Sequence, residues 1–312
     1  MRPSESWDSQ FAMHRAFLDD EIRNRAFEAA IKRHVKPGSH VVDLGSGSGI
    51  WACVAARAGA ERVVAIEYSD LANEARRTVA RNGLGSVVEV IQADIRKVEL
   101  AREFDVVIHE LIGGLVWEED MVELTHSARE RFLKPGGVLM PGAVRVWMCP
   151  WLFAGDRPKR ADWGAVCGID VSHMYETELA QWRSRRKATC LHGIDGRGML
   201  AAPQLVHTCR LGIDHDPHPA ELRFEFVGER DTFATGVLGF MEIELDTDLV
   251  IPTSPTDPPT NWGQLYVPAD ELLKIHEGAR YDVRITPTLR PNGWDVRWAE
   301  ITPRRDYALD DA

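Results

Sequence analysis

The fold is decided by a stretch near the start of the chain, Val41-Val42-Asp43-Leu44-Gly45-Ser46-Gly47-Ser48-Gly49. Its apolar first part predicts a short buried strand, and its alternate glycines predict a loop whose backbone passes close to a ligand. The spacing is G-x-G-x-G, so the third glycine comes one position earlier than in the dinucleotide fingerprint G-x-G-x-x-G. This spacing disfavours a nicotinamide-dependent oxidoreductase and leaves another nucleoside ligand as the expectation.

Acidic residues follow the next two predicted strands. Glu67 ends the strand that begins at Arg62, where a carboxylate can accept hydrogen bonds from both hydroxyls of a ribose. The alternative is that Glu67 is a solvated loop acid and the glycines only turn the chain. Asp94 follows the third strand and either recognises adenine together with the next backbone amide or caps the following element. The arrangement resembles the class I methyltransferase fold, whose ligand is S-adenosylmethionine.

Helical and strand patterns alternate over the first half of the chain, which predicts βαβ units and a mostly parallel sheet. The expected strands are Val41–Leu44, Arg62–Ile66, Val87–Ile91 and Phe104–Ile108. The expected helices are His14–Val35, Ile50–Ala58, one that Ser69 caps and Asn82-Gly83 closes, and Glu119–Leu133, which Lys134-Pro135-Gly136-Gly137 stops.

After about Pro141 the pattern changes to short β-rich runs separated by turn residues, which predicts an antiparallel sandwich or barrel. These runs are Val144–Cys149, Leu222–Val227, Val237–Leu245, Gly263–Val267, Arg280–Thr286 and Trp294–Ile301. Residues 155–179 interrupt them and predict a helical excursion. We therefore divide the chain into an N-terminal helical segment (1–35), a parallel-sheet domain (36–141) and a β domain (142–312).

Composition narrows the classes of protein and partner. Of the 312 residues, 44% are hydrophobic, and 37 Lys and Arg stand against 48 Asp and Glu, giving a net charge of -11. This charge disfavours a nucleic-acid partner. The five cysteines are widely spaced without a Cys-x-x-Cys pair, so neither a zinc ribbon nor another metal site is expected. Without a signal-like or membrane-spanning stretch, the expectation is a cytoplasmic protein with no membrane partner.

Two glutamates flank a glycine-bearing loop. Glu110 follows the fourth strand at its carboxyl end, where ligands bind in open α/β sheets, and Glu119 stands at a predicted helix start. Acids at a helix N-terminus often only stabilise the helix dipole, which would explain Glu119 but not Glu110. Two carboxylates in one pocket could act as acid and base in a hydrolase, or could clamp a planar guanidinium. Beside a sulfonium cofactor the guanidinium clamp is favoured.

The chain resembles the protein arginine methyltransferases over nearly its full length. Their double-glutamate loop is similar to the segment from Glu110 to Met121, and their Thr-His-Trp loop is similar to Thr260-Asn261-Trp262. Their N-terminal helix is similar to the segment from His14 to Arg23. The resemblance implies a Rossmann-like sheet followed by a β-barrel domain, and a homodimer built through a helical dimerisation arm at about residues 155–175.

The resemblance also implies roles for individual residues, with S-adenosylmethionine as the cofactor. Glu110 and Glu119 would be the catalytic pair that holds an arginine guanidinium for N-methyl transfer. The substrate would be bound by Asp20, Met121, Asn261 and Trp262. The cofactor would be bound by Arg23, Asp43, Gly45, Gly47, Gly49, Glu67, Asp94 and Ile95.

Some positions depart from the family pattern. Asn261 stands where the family usually has a histidine that pairs with the acid matching Asp20, and the upstream Tyr-Phe pair is absent. Both parts shape the arginine tunnel of the family, so the departures favour free arginine or a small metabolite over arginine in proteins. They also keep open a catalytically silent cofactor-binding partner protein. The resemblance otherwise suggests a divergent, bacterial-type member.

Overall fold

The structure is a computed structural model that describes residues 7–113, 115, 120–153, 158–215, 219–290, 293–295 and 299–304. The helices in this part of the chain are α1 (Trp7–Asp19), α2 (Glu21–His34), α3 (Ile50–Arg57), α4 (Leu71–Arg81), α5 (Met121–Arg131) and α6 (Met174–Arg185). None of these helices is long and apolar enough to cross a membrane.

The first sheet is parallel and alternates with helices along the chain. Its strands are β1 (His40–Leu44), β2 (Arg62–Glu67), β3 (Val88–Gln92), β4 (Phe104–His109) and β5 (Leu133–Met140). Their order is β3-β2-β1-β4-β5, with every ladder parallel. The strand order reverses between β1 and β4, and ligands of open α/β sheets bind at such a switch point. The glycine loop and Glu110 follow these two strands.

The second sheet contains the remaining long strands and nearly closes on itself. Its order is β10-β6-β12-β14-β18-β15-β11, with β13 beside β12 and β9 beside β14, and the end strands β10 and β11 approach each other. The strands of this sheet are β6 (Ala143–Trp151), β9 (Thr189–Leu191), β10 (Gln204–Arg210), β11 (Leu222–Val227), β12 (Thr232–Asp246), β13 (Leu249–Pro252), β14 (Gln264–Ile275), β15 (Arg280–Ile285) and β18 (Ala299–Pro303). Two separate two-stranded sheets are formed by β7 (Ala165–Val166) with β8 (Ile169–Asp170) and by β16 (Thr288–Arg290) with β17 (Gly293–Asp295). The predicted fold class, a Rossmann-like sheet followed by a β-barrel domain, is confirmed.

The single helix predicted over His14–Val35 is wrong, because Asp20 divides it into α1 and α2. Asp20 has φ −76° and ψ 87°, and its carboxylate accepts a hydrogen bond from the Arg23 backbone N–H at 2.9 Å. An aspartate in this role is a favoured N-cap. The break could not be predicted from the sequence, because the apolar residues recur every four positions on both sides of Asp20.

The predicted stop at Lys134–Gly137 is also wrong. Helix α5 ends earlier, at Arg131, and strand β5 runs through these residues to Met140. The pairing of β5 with β4 shifts register between Phe104 and Val106, as at a β-bulge. Because β5 is the edge strand of the sheet, it tolerates proline and glycine that a central strand would not.

Residues 155–179 contain more than the predicted helical excursion. Residues 154–157 lie outside the described part of the chain. The two short strands β7 and β8 form a hairpin, and α6 begins at Met174.

Candidate active site

The glycine loop is packed between α1 and the segment that follows β4. Gly45, Gly47 and Gly49 have φ of 65°, 52° and 77°, a left-handed backbone that favours glycine. A Cβ on Gly45 would lie 2.6 Å from the Leu111 Cδ2, and one on Gly47 would lie 2.7 Å from the His14 Cε1. The alternate glycines therefore allow the loop this backbone and these close contacts.

Glu67 lies at the carboxyl end of β2 and is bound to the glycine loop. Its side chain is buried, and its Oε2 accepts a hydrogen bond from the Gly47 N–H at 2.8 Å. Its Oε1 accepts from the Ser69 N–H at 2.8 Å and from the Ser69 hydroxyl at 2.7 Å. The predicted ribose acid is thus beside the predicted loop.

Asp43 is buried within β1 and bonds to the start of α3. Its Oδ2 accepts a hydrogen bond from the Ala52 N–H at 3.1 Å. The pKa of this carboxyl is raised to about 8, mainly by burial and also by the nearby Glu67 and Glu110, while the hydrogen bond from Ala52 opposes the rise. The hydrogen bond between Asp43 and Ala52 therefore holds the start of α3 against the end of β1.

Arg23 and Glu110 form a buried ion pair between α2 and the end of β4. Their Nη2 and Oε2 atoms are 2.7 Å apart, and their side chains are 5% and 12% exposed. The Arg23 Nη1 also donates to the Phe17 carbonyl and the Asn24 Oδ1, both at 3.1 Å. The guanidinium carbon lies 5.2 to 5.8 Å from the centres of four aromatic rings, those of Phe17, Phe27, Trp51 and Trp262. This geometry shows that Glu110 can accept a guanidinium.

The segment of residues 260–263, here called the Asn261 loop, ties the barrel to this ion pair. Asp20 accepts a hydrogen bond from the Asn261 backbone N–H at 2.6 Å, while its other oxygen caps α2. The Trp262 Nε1 donates to the Ile112 carbonyl at 3.0 Å. The link from Asp20 to Asn261 therefore uses the backbone of residue 261, which an asparagine provides as well as a histidine.

Asp94 takes the capping alternative in this structure. Its carboxylate accepts from the Arg96 backbone N–H at 3.0 Å and caps a short 3-10 turn over Ile95–Lys97. The Arg96 guanidinium also bonds to it and lowers the pKa of Asp94. Ile95 is buried, and its carbonyl accepts from the Arg131 guanidinium at 3.2 Å. The adenine-binding role of Asp94 and Ile95 stays a prediction.

The second glutamate lies outside the described part of the chain. Glu119 and the three residues before it are not described, so its approach to Glu110 stays a prediction. Met121, predicted to bind substrate, is fully buried as the first residue of α5.

His14 is a site residue that the sequence did not indicate. Its ring lies against Gly47, and burial and the nearby Arg23 lower the pKa of His14, although Glu67 raises it. A histidine on an amphipathic helix has no distinctive spacing, and only the packing of α1 on the loop reveals it.

Unpartnered polar atoms surround the glycine loop. Within the described residues, buried atoms without a hydrogen-bond partner include His14 Nε2, Arg23 Nε, Asp43 Oδ1 and Ser46 Oγ. Buried polar groups of proteins are normally bonded, so this cluster fits a polar ligand that would supply partners. In the same part of the chain, no group of three or more His, Cys, Asp and Glu side chains could hold a metal ion.

Solved structures share this fold. The "Trypanosoma brucei PRMT1 enzyme-prozyme heterotetrameric complex with AdoHcy" gives a TM-score of 0.77 at 20% identity, covering 95% of this chain and 99% of that one. The open conformation of protein arginine methyltransferase 10 from Arabidopsis thaliana gives 0.75 at 22% identity, covering 92% and 97%. At these identities the likeness shows the fold alone.

Sequence comparison is more specific. The family model "Methyltransferase domain" matches residues 41–137. "Probable protein arginine N-methyltransferase 6" of Arabidopsis thaliana is 34% identical over 197 residues, covering 62% of this chain and 45% of the relative. "Probable histone-arginine methyltransferase CARM1" of Oryza sativa subsp. indica is 29% identical over 282 residues, covering 86% and 53%. The chain contains a methyltransferase domain and is similar in sequence to the protein arginine methyltransferases.

The chain spans about half the length of the curated relatives it matches, 45% and 53% of the two named above. The predicted resemblance to the protein arginine methyltransferases is therefore confirmed. That it is a divergent, bacterial-type member stays a prediction.

The pKa of Asp43 leads to a pH dependence of folding stability. With a pKa of about 8 in the fold against an ordinary value of 3.8, the folded protein keeps a proton that the unfolded chain has lost. The contribution of Asp43 to the free energy of unfolding therefore decreases as pH rises from about 4 to about 8. We expect Asp43→Asn, which resembles the protonated acid, to flatten this decrease.

Urea denaturation of both proteins at about pH 6.5 and about pH 8 measures the effect. Burial lowers the pKa of His109 from 6.5 to about 4, so this histidine raises the free energy of unfolding as pH rises from about 4 to about 6.5. Measurements between about pH 6.5 and about pH 8 avoid this opposite contribution. Equal pH dependence in the variant and the unsubstituted protein would contradict a protonated Asp43.

Proposed function

We propose that this chain is an S-adenosylmethionine-dependent N-methyltransferase that acts on the guanidino group of arginine. The observation that carries the proposal is the buried Arg23–Glu110 pair beside the glycine loop and Glu67. In this arrangement a carboxylate that accepts a guanidinium lies next to a site that is suited to a nucleoside. Two similar structures are described as bound to the product form of that cofactor, the Trypanosoma brucei complex with AdoHcy and PRMT6-SAH.

The residues around the loop fit the cofactor. Glu67 would accept the ribose hydroxyls, Arg23 would bind the carboxylate, and Asp94 with the Ile95 amide would bind adenine. The unpartnered Arg23 Nε and Ser46 Oγ are polar groups that such a ligand would satisfy. When bound, S-adenosylmethionine supplies a methyl group on a positively charged sulfur.

Glu110 and Glu119 would prepare the acceptor. A guanidinium is a poor nucleophile because its lone pairs are delocalised and it stays protonated. Carboxylates bonded to two of its nitrogens hold the charge there and leave more electron density on the third. The two glutamates also orient that nitrogen for in-line attack, and such positioning lowers the barrier. The proton released by the methylated nitrogen would leave to Glu119 or solvent.

Removing the ribose acid should weaken cofactor binding. We expect Glu67→Ala to reduce S-adenosylmethionine affinity by about 1–3 kcal/mol, because ribose hydrogen bonds to a charged acceptor are lost. Isothermal titration measures the change. Glu61→Ala, at an exposed position just before β2, is the matched control and should bind as the unsubstituted protein does. An unchanged dissociation constant for Glu67→Ala would reject the ribose assignment.

For the acceptor, we infer a modest preference for free arginine or a small arginine-like metabolite. The absence of the aromatic pair and of the family histidine at Asn261 supports this inference. The second candidate is arginine in protein segments. The names of the relatives favour it, since they describe methyltransferases of proteins and histones, and the net charge of -11 suits Arg-rich segments.

Labelled S-adenosylmethionine offered with free arginine in one tube and a Gly-Arg-rich peptide in another tests the acceptor. We expect the label on free arginine. Labelled peptide with untouched arginine would reject the small-molecule preference and leave the guanidinium clamp standing. Isothermal titration with NAD, for which we expect no heat of binding, separates this site from that of an oxidoreductase.

We also propose a homodimer in which the β7–β8 hairpin packs against the cofactor domain of a second copy. Val166 and Ile169 on this hairpin are 65% and 67% exposed. A groove of about 530 Å³ on the outer side of α2 and α3 is lined by apolar and charged residues, including Leu18, Trp51 and Val54. The exposed apolar side chains of the hairpin on one copy could fill the open groove on a second copy.

Two changes on the hairpin test the dimer. We expect Val166→Ser with Ile169→Ser to convert a dimer into a monomer at micromolar concentration in analytical ultracentrifugation, because the apolar contact is lost. Val227→Ser on the barrel, where Val227 is 46% exposed, should leave the dimer intact. A monomeric unsubstituted protein would overturn the proposal.

A further inference from the structure

A thiol and an imidazole to which the proposed function gives no role form a pair on the barrel surface. Cys190 and His192 are two positions apart along β9 and its continuation, a spacing that places side chains on one face of a strand. The Cys190 Sγ lies 3.7 Å from the His192 Nε2. The Cys190 side chain is exposed, and an exposed thiol that contacts a proton acceptor has the surroundings of a reactive cysteine.

The other cysteines have different surroundings. Cys53, Cys149 and Cys209 are buried, and burial raises the pKa of the Cys149 and Cys209 thiols to about 12, which makes them poor nucleophiles. Cys167 is exposed at the turn of the β7–β8 hairpin. It is replaced by serine in the first measurement below, so that its own modification does not compete with that of Cys190.

The Cys190–His192 pair packs directly on the backbone of the Asn261 loop. A Cβ built on Gly263 would lie 2.6 Å from the Cys190 Sγ and 2.9 Å from the His192 Cε1. The sulfur is therefore already in contact with this backbone. A bulky group on the sulfur must displace Gly263 or separate the thiol from the imidazole.

A displacement of Gly263 would reach the candidate active site through short contacts. Asn261, two residues before it, donates its backbone N–H to Asp20 at 2.6 Å. Trp262 donates its indole N–H to the Ile112 carbonyl at 3.0 Å, two residues after Glu110. The Asn261 loop therefore connects the surface thiol to the segment that carries the guanidinium-binding carboxylate.

We propose that Cys190, assisted by His192, is a redox-modification site whose mixed disulfide displaces the Asn261 loop and lowers activity at the adjacent site. His192 takes the thiol proton, and the sulfur attacks a hydroperoxide. An S–O bond forms as the O–O bond breaks, and the leaving oxygen receives that proton, so the sulfur is oxidised and the peroxide reduced. A small thiol then attacks the sulfenic acid, water leaves, and a mixed disulfide remains. The effect on activity rests on the proposed function, whereas the reactivity of Cys190 does not.

The first measurement is the rate of modification in the full chain carrying Cys167→Ser. Hydrogen peroxide with glutathione is the probe, and peptide mass spectrometry locates the adduct. We expect modification of Cys190 to be at least about threefold faster than in the same protein with His192→Gln, because less thiolate is available in that variant. Equal rates, or adducts mainly at another cysteine, would overturn the proposal.

The second measurement is amide hydrogen exchange of the Asn261 loop before and after modification. We expect the Asn261 amide, protected by Asp20, to exchange at least about tenfold faster in the modified protein. Cys190→Ser treated in the same way is the control and should not change. Modification without faster exchange would refute the link to the loop. If the untreated protein transferred no methyl group, the proposed function and the effect on activity would fail, while these two measurements would still decide whether Cys190 is modified and whether its modification displaces the loop.

Discussion

Glu110→Gln should reduce methyl transfer by about 10²- to 10³-fold or more, with little change in cofactor affinity. The carboxylate is expected to face the cationic acceptor, where a charged partner is replaced by a neutral one. The glutamine can still bond Arg23, whose guanidinium is 2.7 Å from the carboxylate, so the cofactor side should remain assembled. Single-turnover transfer and isothermal titration measure the two quantities separately.

The matched control is Glu123→Gln, an exposed position in the first turn of α5. It removes the same charge close to the site and should leave transfer unchanged. A Glu110→Gln protein that keeps most of its activity would show that the guanidinium clamp is wrong.

Replacing Arg23 should have the largest effect on cofactor binding. We expect Arg23→Met to weaken S-adenosylmethionine binding by about 2–5 kcal/mol, since it removes the partner of the cofactor carboxylate and leaves Glu110 buried without its ion pair. Arg23→Lys keeps the charge but loses the planar fork that meets Glu110, Phe17 and Asn24, and should recover only part of the loss.

Arg25→Met is the control for this prediction, because Arg25 lies on the same helix with 78% of its side chain exposed. It should bind the cofactor as the unsubstituted protein does. Thermal unfolding of each variant separates loss of binding from loss of the fold. An Arg23→Met protein that folds and binds S-adenosylmethionine normally would reject the assignment of Arg23 to the cofactor.

The sequence predicts well where short patterns determine the backbone. The apolar run before Gly45 and the acid at Glu67 could be placed together, because adjacent parallel strands end at one edge of a sheet. The change near Pro141 from alternating helix and strand patterns to short β-rich runs likewise predicted where the β domain begins. Strand β5 was not predicted, because its proline and glycines are as typical of a turn as of a strand at the edge of a sheet.

The contacts between distant segments were not predictable in this way. Arg23 and Glu110 are 87 positions apart, and nothing in either neighbourhood indicates that they pair within a cage of aromatic rings. The bond between Asp20 and Asn261 uses the backbone amide, so the identity of the side chain carries no information about it. Asp94 could be placed just after β3, but its hydrogen bonds to the Arg96 backbone and guanidinium could not be read from the sequence.

Methylation of a guanidino group by this protein can be observed as single-turnover transfer from labelled S-adenosylmethionine to an arginine acceptor, with mass spectrometry of the product. Free arginine and a Gly-Arg-rich peptide are both supplied, so that the result does not depend on acceptor preference. We expect one methyl group on a guanidino nitrogen in the first turnover, and its appearance at least about 10²-fold more slowly with Glu110→Gln. Normal binding of S-adenosylmethionine with no methyl on any guanidino nitrogen would contradict the proposed function and identify a catalytically silent cofactor-binding protein.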